Sequence, residues 1–176
     1  MKMEKLSSDK RRKEILEKLK ESEEPLTGSD LAELMGVSRQ VIVQDIALLR
    51  AEGKEIFATP QGYFLAKSRA PSKISRVYAV KHNLDRLEEE LLLMVDLGGK
   101  VIDVIVEHPV YGEIKGNLML SCRKDVYDFV QKLNLSQAKP LSILTSGVHL
   151  HTVEAEKKEV LEEIFVALEE KGLLLE

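Results

Sequence analysis

"LTGSDLAELMGVSRQVIVQDIALLRAEG", residues 26–53, holds two helical patterns separated by a tight turn. Thr27 precedes the first, and Asp30, three residues on, can answer it in a variant capping box. Gly36 closes that short helix, because glycine takes the positive φ an abrupt helix end requires. Ser38 caps the second, which carries Val41, Ile42, Ile46, Leu48 and Leu49 inward and stops at Gly53. A short helix, a turn of about three residues and a longer helix make a helix-turn-helix.

Outward from this pair, residues 8–21 place Ile15, Leu16 and Leu19 at helical spacing, and Pro25 in "SEEPL" stops that helix. On the other side, "EIFATPQGYFLA" reads as two short strands around a Pro-Gly turn, which makes the unit winged. The second helix of such a pair lies in the DNA major groove with its N-terminal residues toward the bases. Here those residues are Ser38, Arg39, Gln40, Val43 and Gln44. Arg39 suits guanine edges, Gln40 and Gln44 suit adenine, and Val43 can meet a thymine methyl. Phosphate contacts are expected from Lys10, Arg11, Arg12 and Lys13, and from Arg50 or Lys54 near the wing.

A small protein-interaction domain with an ordinary solvated face fits the same pattern. Residues 1–67 carry 12 Lys+Arg and 12 Asp+Glu, a formal net charge of zero, whereas strong DNA binders show a basic surplus. Glu21, Glu23 and Glu24, however, cluster beyond the first helix, away from the reading face. Charge placement can therefore still make a basic stripe, and dimerisation would double it.

The 176 residues suit two domains of roughly 100 each. The polar stretch "KSRAPSK", 67–73, marks the boundary. It predicts a winged helix-turn-helix over 1–67, a linker over 68–73 and a second domain over 74–176. With 44% hydrophobic and 32% charged residues and no long single-sign block, the chain is expected to be folded and soluble. No signal-peptide run opens it, and no stretch approaches the roughly 18 apolar residues of a membrane helix. A lone Cys122 agrees with a reducing compartment, so the cytoplasm is expected. Many Glu and Lys beside few Asn, Gln and Cys lean toward a heat-adapted source.

Past the boundary, "SRVYAVKH" reads as a strand and "NLDRLEEELLLMVDLGG" as a helix with Leu84, Leu87, Leu91, Met94 and Val95 on one stripe. "KVIDVIVEHPVYGEIKGNLML" reads as two strands around His108, Pro109 and Gly112. "SCRKDVYDFVQKLN" is a helix capped by Ser121, "PLSIL" and "VHLHTVE" are strands, and residues 155–171 close with an amphipathic helix. The class expected is α+β: after the winged helix-turn-helix, an α/β sandwich with helices on a mixed or antiparallel sheet.

All four histidines, His82, His108, His149 and His151, fall in this second region, at strand ends or on strands. His149 and His151 are two apart and share a strand face. After His82 come Glu88, Glu89 and Glu90; counting 100° per residue sets Glu90 beside Leu87 and Met94, with Glu89 pointing away. Three imidazoles and a carboxylate suit Zn²⁺, Ni²⁺, Co²⁺ or Fe²⁺ and disfavour Ca²⁺ and Mg²⁺. Core or surface histidines bonded to carbonyls fit the spacing equally.

Two resemblances narrow this. Residues 26–56 resemble the winged helix-turn-helix of the biotin repressor and of many small-molecule-responsive bacterial regulators; the nucleotide loop of the biotin repressor's ligase domain has no counterpart here. "VYAVKHNLDRLEEEL", "DVIVEHPVYGEIKGNL", "SCRKDVYDF" and "LTSGVHLHTVE" are similar to the three-histidine (3H) domain, and the whole chain resembles the niacin-responsive transcriptional repressors. The family's histidines map to His82, His108 and His149, with His151 beside. The resemblance implies a homodimer that binds operator DNA with nicotinic acid as corepressor and controls niacin uptake or NAD synthesis.

Nicotinic acid offers a pyridine nitrogen, which suits an imidazole-rich divalent metal, and a carboxylate, which suits Arg, Lys or a helix N-terminus. The expected site therefore has one metal per chain, Ni or Zn, on His82, Glu90, His149 and His151. Arg123 or Lys115 would meet the carboxylate, His108 and Tyr111 would line the pocket, and Pro109 and Gly112 would shape the turn. Two alternatives stay open: a repressor for which the ion is itself the signal, and a metal-dependent hydrolase, for which Glu107 or Glu113 would have to serve as acid or base.

Overall fold

A computed structural model describes residues 7–66 and 74–175. The expected linker lies outside the described residues. The chain divides into two compact units, Met1–Ala70 and Pro71–Glu176.

The first unit holds α1 (Ser8–Glu21), α2 (Gly28–Met35), α3 (Arg39–Ala51) and a hairpin of β1 (Ile56–Thr59) and β2 (Gly62–Leu65). The capping box forms as the sequence suggests: Thr27 Oγ1 accepts from the Asp30 amide at 3.1 Å, and Asp30 Oδ2 accepts from the Thr27 amide at 3.1 Å. Gly36 takes φ 64°, and Ser38 Oγ accepts from the Val41 amide. Ile15, Leu19, Leu31, Met35, Ile42, Ile46, Leu49 and Ile56 form the core. A Cβ on Gly62 would stand 2.5 Å from the Leu26 carbonyl oxygen, so glycine there lets the wing close against Leu26.

Leu48 corrects the expected inward stripe of α3, because it is 50% exposed and Asp45 is buried in its stead. The stripe that points inward is Ile42, Asp45, Ile46 and Leu49, at i, i+3, i+4 and i+7. A carboxylate is tolerated there because Arg11 of α1 reaches it with Nε at 2.6 Å and Nη2 at 3.2 Å. The pair ties α1 to α3.

The second unit runs β3 (Ile74–Lys81), a 3-10 turn (Leu84–Arg86), α4 (Leu87–Asp96), β4 (Lys100–His108), β5 (Gly112–Leu120), α5 (Arg123–Ser136), a second 3-10 turn (Leu141–Thr145), β6 (Val148–Ala155) and α6 (Lys158–Glu170). Its sheet, ordered β3-β6-β4-β5, is antiparallel throughout. One face is covered: Tyr78, Val80, Val101, Leu118, Leu120, Val153 and Ala155 from strands meet Leu91, Met94, Val126, Leu161, Ile164 and Leu168 from helices. Along β6 burial alternates residue by residue, which puts His149 and His151 on that covered face with Val153.

Three expectations need correcting here. "PLSIL" is not a strand but the second 3-10 turn, because β6 already has β3 and β4 on its two sides and Pro140 starts a turn closed by Ile143 N–H on its carbonyl. Ser121 does not cap α5; Cys122 holds that position, and the Ser121 amide donates instead to Asp125 Oδ2 at 2.8 Å. Leu84 lies in the 3-10 turn before α4 and is 49% exposed, so the buried stripe begins later.

Candidate metal centre

β3 ends beside the start of α4, and β6 runs next to β3 with Val80 opposite His149 and Tyr78 opposite His151. That register gathers four side chains from three elements. His82 Nε2 lies 2.6 Å from Glu90 Oε2, His149 Nε2 3.3 Å from the same oxygen, and His151 Nε2 3.5 Å from Glu90 Oε1. All four side chains are at most 3% exposed. The rings meet edge to face, with centroids 5.0 Å apart for His82 and His149 and 4.9 Å for His149 and His151.

Each ring has its other nitrogen committed. Nδ1 of His82 donates to the Asn83 carbonyl at 2.7 Å, Nδ1 of His149 to that of Gly147 at 2.8 Å, and Nδ1 of His151 to that of Asp103 at 2.6 Å. Neutral rings so oriented point three Nε2 lone pairs at one carboxylate, which is repulsive. Three protonated rings would instead bury three positive charges against one negative charge, which is also costly. A divalent cation among the four resolves both conflicts, and backbone carbonyls behind the rings are the usual outer support of histidine ligands. Glu90 Oε1, buried without a hydrogen-bond partner, fits the same reading. His82, Glu90 and His149 offer ligand atoms within 4.8 Å of one another, a group that can hold a metal ion.

Without an ion the cluster is strongly polarised. Burial works to lower the pKa of His82, but the hydrogen bond and charge of Glu90 outweigh it and the net shift is upward. His151 follows the same pattern, burial opposing and the Glu90 charge prevailing. Burial works to raise the Glu90 carboxyl, yet the charge of His151 and the close approach of the three rings hold it well below its usual range.

The other expected ligand residues are not among these four side chains. His108 and Tyr111 form the tip of the β4–β5 hairpin, where His108 Nδ1 accepts from the amides of Val110 and Tyr111 at 3.2 and 3.3 Å and the two rings stand 5.0 Å apart. Lys115 Nζ is 2.6 Å from Asp103 Oδ2. Arg123 grips both oxygens of Asp96 at 2.6 Å, at the C-terminal end of α4 and about 9 Å along its axis from Glu90 at 1.5 Å per residue. Asp103 and Gly147 are the positions sequence reasoning missed. A lone Asp inside the apolar "VIDVIV" was the signal for the first, and the glycine just before "VHLH" for the second.

In the first unit, Ser38, Arg39, Gln40, Val43, Gln44 and Arg50 are all exposed, as are Lys10, Lys13 and Lys54. Arg11 and Arg12 are not free for phosphate: Arg11 is buried on Asp45, and Arg12 lies between Asp9 and Asp45.

Two family descriptions match this chain: an HTH domain over residues 11–64 and a 3H domain over residues 75–176. The chain is 50% identical over 166 residues to the "Probable transcription repressor NiaR" of Thermotoga maritima, covering 94% of each chain. It is 46% identical over 173 residues to the "Transcription repressor NadR" of Bacillus subtilis, covering 97% of this chain and 96% of the relative. Both are named as repressors and neither as an enzyme. Among the described residues no helix is long and apolar enough to cross a membrane. The HTH and 3H domain matches, together with 46–50% identity along nearly the whole chain, make this protein a member of the NiaR/NadR family of transcription repressors.

Proposed function

We propose that this repressor senses nicotinic acid through a divalent transition metal, Ni or Zn, held by His82, Glu90, His149 and His151, and that it controls genes for niacin uptake or NAD synthesis. The observation that carries the reading is the convergence of three Nε2 atoms on one buried carboxylate, each ring held from behind by a backbone carbonyl. A bound ion supplies an open coordination position suited to a pyridine nitrogen. The four side chains hold and orient it, and their burial keeps bulk water from competing. Lys115 and Arg123 are engaged with Asp103 and Asp96, so a role for either at the ligand's carboxylate requires it to exchange partners.

DNA binding falls to the exposed face of α3, with Ser38, Arg39, Gln40, Val43 and Gln44 toward the bases and Lys10, Lys13, Arg50 and Lys54 toward phosphates. The functional unit is a homodimer with the winged helix-turn-helix over 1–67, a linker over 68–73 and the sensor over 74–176. Ligand acts by favouring the DNA-competent arrangement of the two winged helices, and coupling of about 1–3 kcal/mol suffices for a several-fold to hundredfold response.

The test is binding to promoter regions of niacin-transport and NAD-synthesis genes, with and without nicotinic acid, at fixed salt and with metal present. Tighter binding to one of those regions with nicotinic acid supports the reading; indifference to it overturns it. The cluster also favours a second reading, in which the ion alone is the signal. In that case DNA affinity follows metal concentration with no organic ligand added.

A further inference from the structure

Asp103 is fully buried, yet the other buried positions of its strand, Val101 and Val106, are aliphatic. Packing alone gives no reason for a carboxylate there, and burying one is costly unless it is paired. Its partners account for it. The Asp103 carbonyl accepts His151 Nδ1–H at 2.6 Å, while its own carboxylate Oδ1 accepts the amide of the next residue, Thr152, at 3.0 Å. One residue therefore holds the His151 ring by its main-chain carbonyl and the amide that follows His151 by its side chain.

A break in the ladder makes this possible. β4 pairs with β6 at Val101↔Val153 and again at Ile105↔Leu150, so residues 102–104 of β4 stand opposite only 151 and 152 of β6. In a regular antiparallel ladder the Thr152 amide would bond to a β4 carbonyl. At the bulge the Asp103 carboxylate takes that place, and the Asp103 carbonyl is released to receive the imidazole. Bulges commonly re-aim a side chain in this way. From β5, Lys115 lays Nζ 2.6 Å from Asp103 Oδ2 and neutralises the buried charge.

We propose that Asp103 is a positioning residue for the metal centre: its carboxylate, with Lys115 as counter-ion, anchors the Thr152 amide at the bulge and so keeps the main-chain carbonyl where it sets the tautomer and direction of His151, with Nε2 facing Glu90. This rests on the metal reading above. Lys115 is thereby assigned to the support of a metal ligand and not to the carboxylate of nicotinic acid.

Co²⁺ is the probe, because its visible absorption reports the number and arrangement of its ligands. In the full-length protein, Asp103→Ala combined with Lys115→Met is expected to weaken Co²⁺ binding about 10–100-fold, the usual loss for an outer partner, and to move the spectrum toward that of His151→Ala. Asp103→Asn keeps an oxygen for the Thr152 amide and is expected to retain most of the affinity and the parent spectrum. Asp103→Ser, too short to reach that amide, serves as a second disrupting variant should the double one fail to fold, with the same expectation. A role confined to stability would lower the melting temperature and leave the Co²⁺ spectrum unmoved. Parent-like affinity and spectrum in the disrupting variant overturn the assignment while leaving the metal reading intact. A parent protein that takes up no Co²⁺, Ni²⁺ or Zn²⁺ overturns both.

Discussion

The carbonyl of His82 occupies the space a side chain at Gly147 would need, and Gly147 itself holds φ at 92°. The same glycine accepts the His82 amide and the His149 ring on its carbonyl oxygen, so it ties together two corners of the histidine cluster. Gly147→Ala is therefore expected to destabilise the second unit by about 1–3 kcal/mol through the strained φ and the collision and to weaken metal binding as well. Thermal unfolding and a metal titration of the variant check this; unchanged values in both would show that the loop yields at no cost.

Glu90 supplies the only carboxylate among the four clustered side chains. Glu90→Gln keeps the shape but removes the charge, and is expected to lower divalent-metal affinity by at least about a hundredfold, the upper end of what loss of an outer partner alone costs. Glu89→Gln is the control, because Glu89 turns outward onto Arg86 at 2.9 Å and is expected to leave metal affinity unchanged. Calorimetric titration with Zn²⁺ or Ni²⁺ distinguishes the two.

The polarised cluster also sets a pH dependence. His82 and His151 have raised pKa values when folded, so in metal-free protein their contribution to stability is complete below the ordinary value of 6.5 and is lost as pH rises through the raised values. Glu90 is depressed, so its contribution is present above the ordinary 4.5 and is lost only as pH falls through its lowered value. The cluster thus favours the metal-free fold most between about 4.5 and 6.5. Metal competes with the ring protons, so metal affinity should climb as pH rises above 6.5. Melting curves with chelator, and metal titrations across the same pH range, should move in opposite directions.

On the DNA-binding unit, the contrast is between arginines used inside the fold and lysines left outside it. Asp45→Ala strands the Arg11 guanidinium and is expected to cost about 1–3 kcal/mol of stability. Lys10→Ala and Lys13→Ala should leave stability alone and weaken DNA binding uniformly, each reducing the salt slope by about 1. Arg39→Ala should cost about 1–3 kcal/mol at a matched operator and relax its sequence preference. Melting curves paired with salt-dependent DNA titrations check all four variants.

Local signals carried much of the architecture. Thr27, Asp30, Gly36 and Ser38 announce their caps within a few residues, so the helix-turn-helix was legible from the chain alone. Likewise the period-two spacing of His149 and His151, together with the helical phase of Glu90, was enough to bring three of the four cluster residues to one side of the sheet. What escaped depends on partners distant in sequence. Asp45 is buried because Arg11, 34 residues earlier, pairs with it. "PLSIL" has strand-like composition but finds no free edge beside β6. Asp103 meets His151 across 48 residues at a ladder irregularity that no local pattern reveals.

The most direct test is calorimetric titration of nicotinic acid into metal-loaded and metal-stripped protein at one pH and salt. The account predicts binding to the loaded form and little or none to the stripped form, with the loss reproduced by Glu90→Gln. Equal affinity in both forms would contradict it and separate the ligand from the histidine cluster.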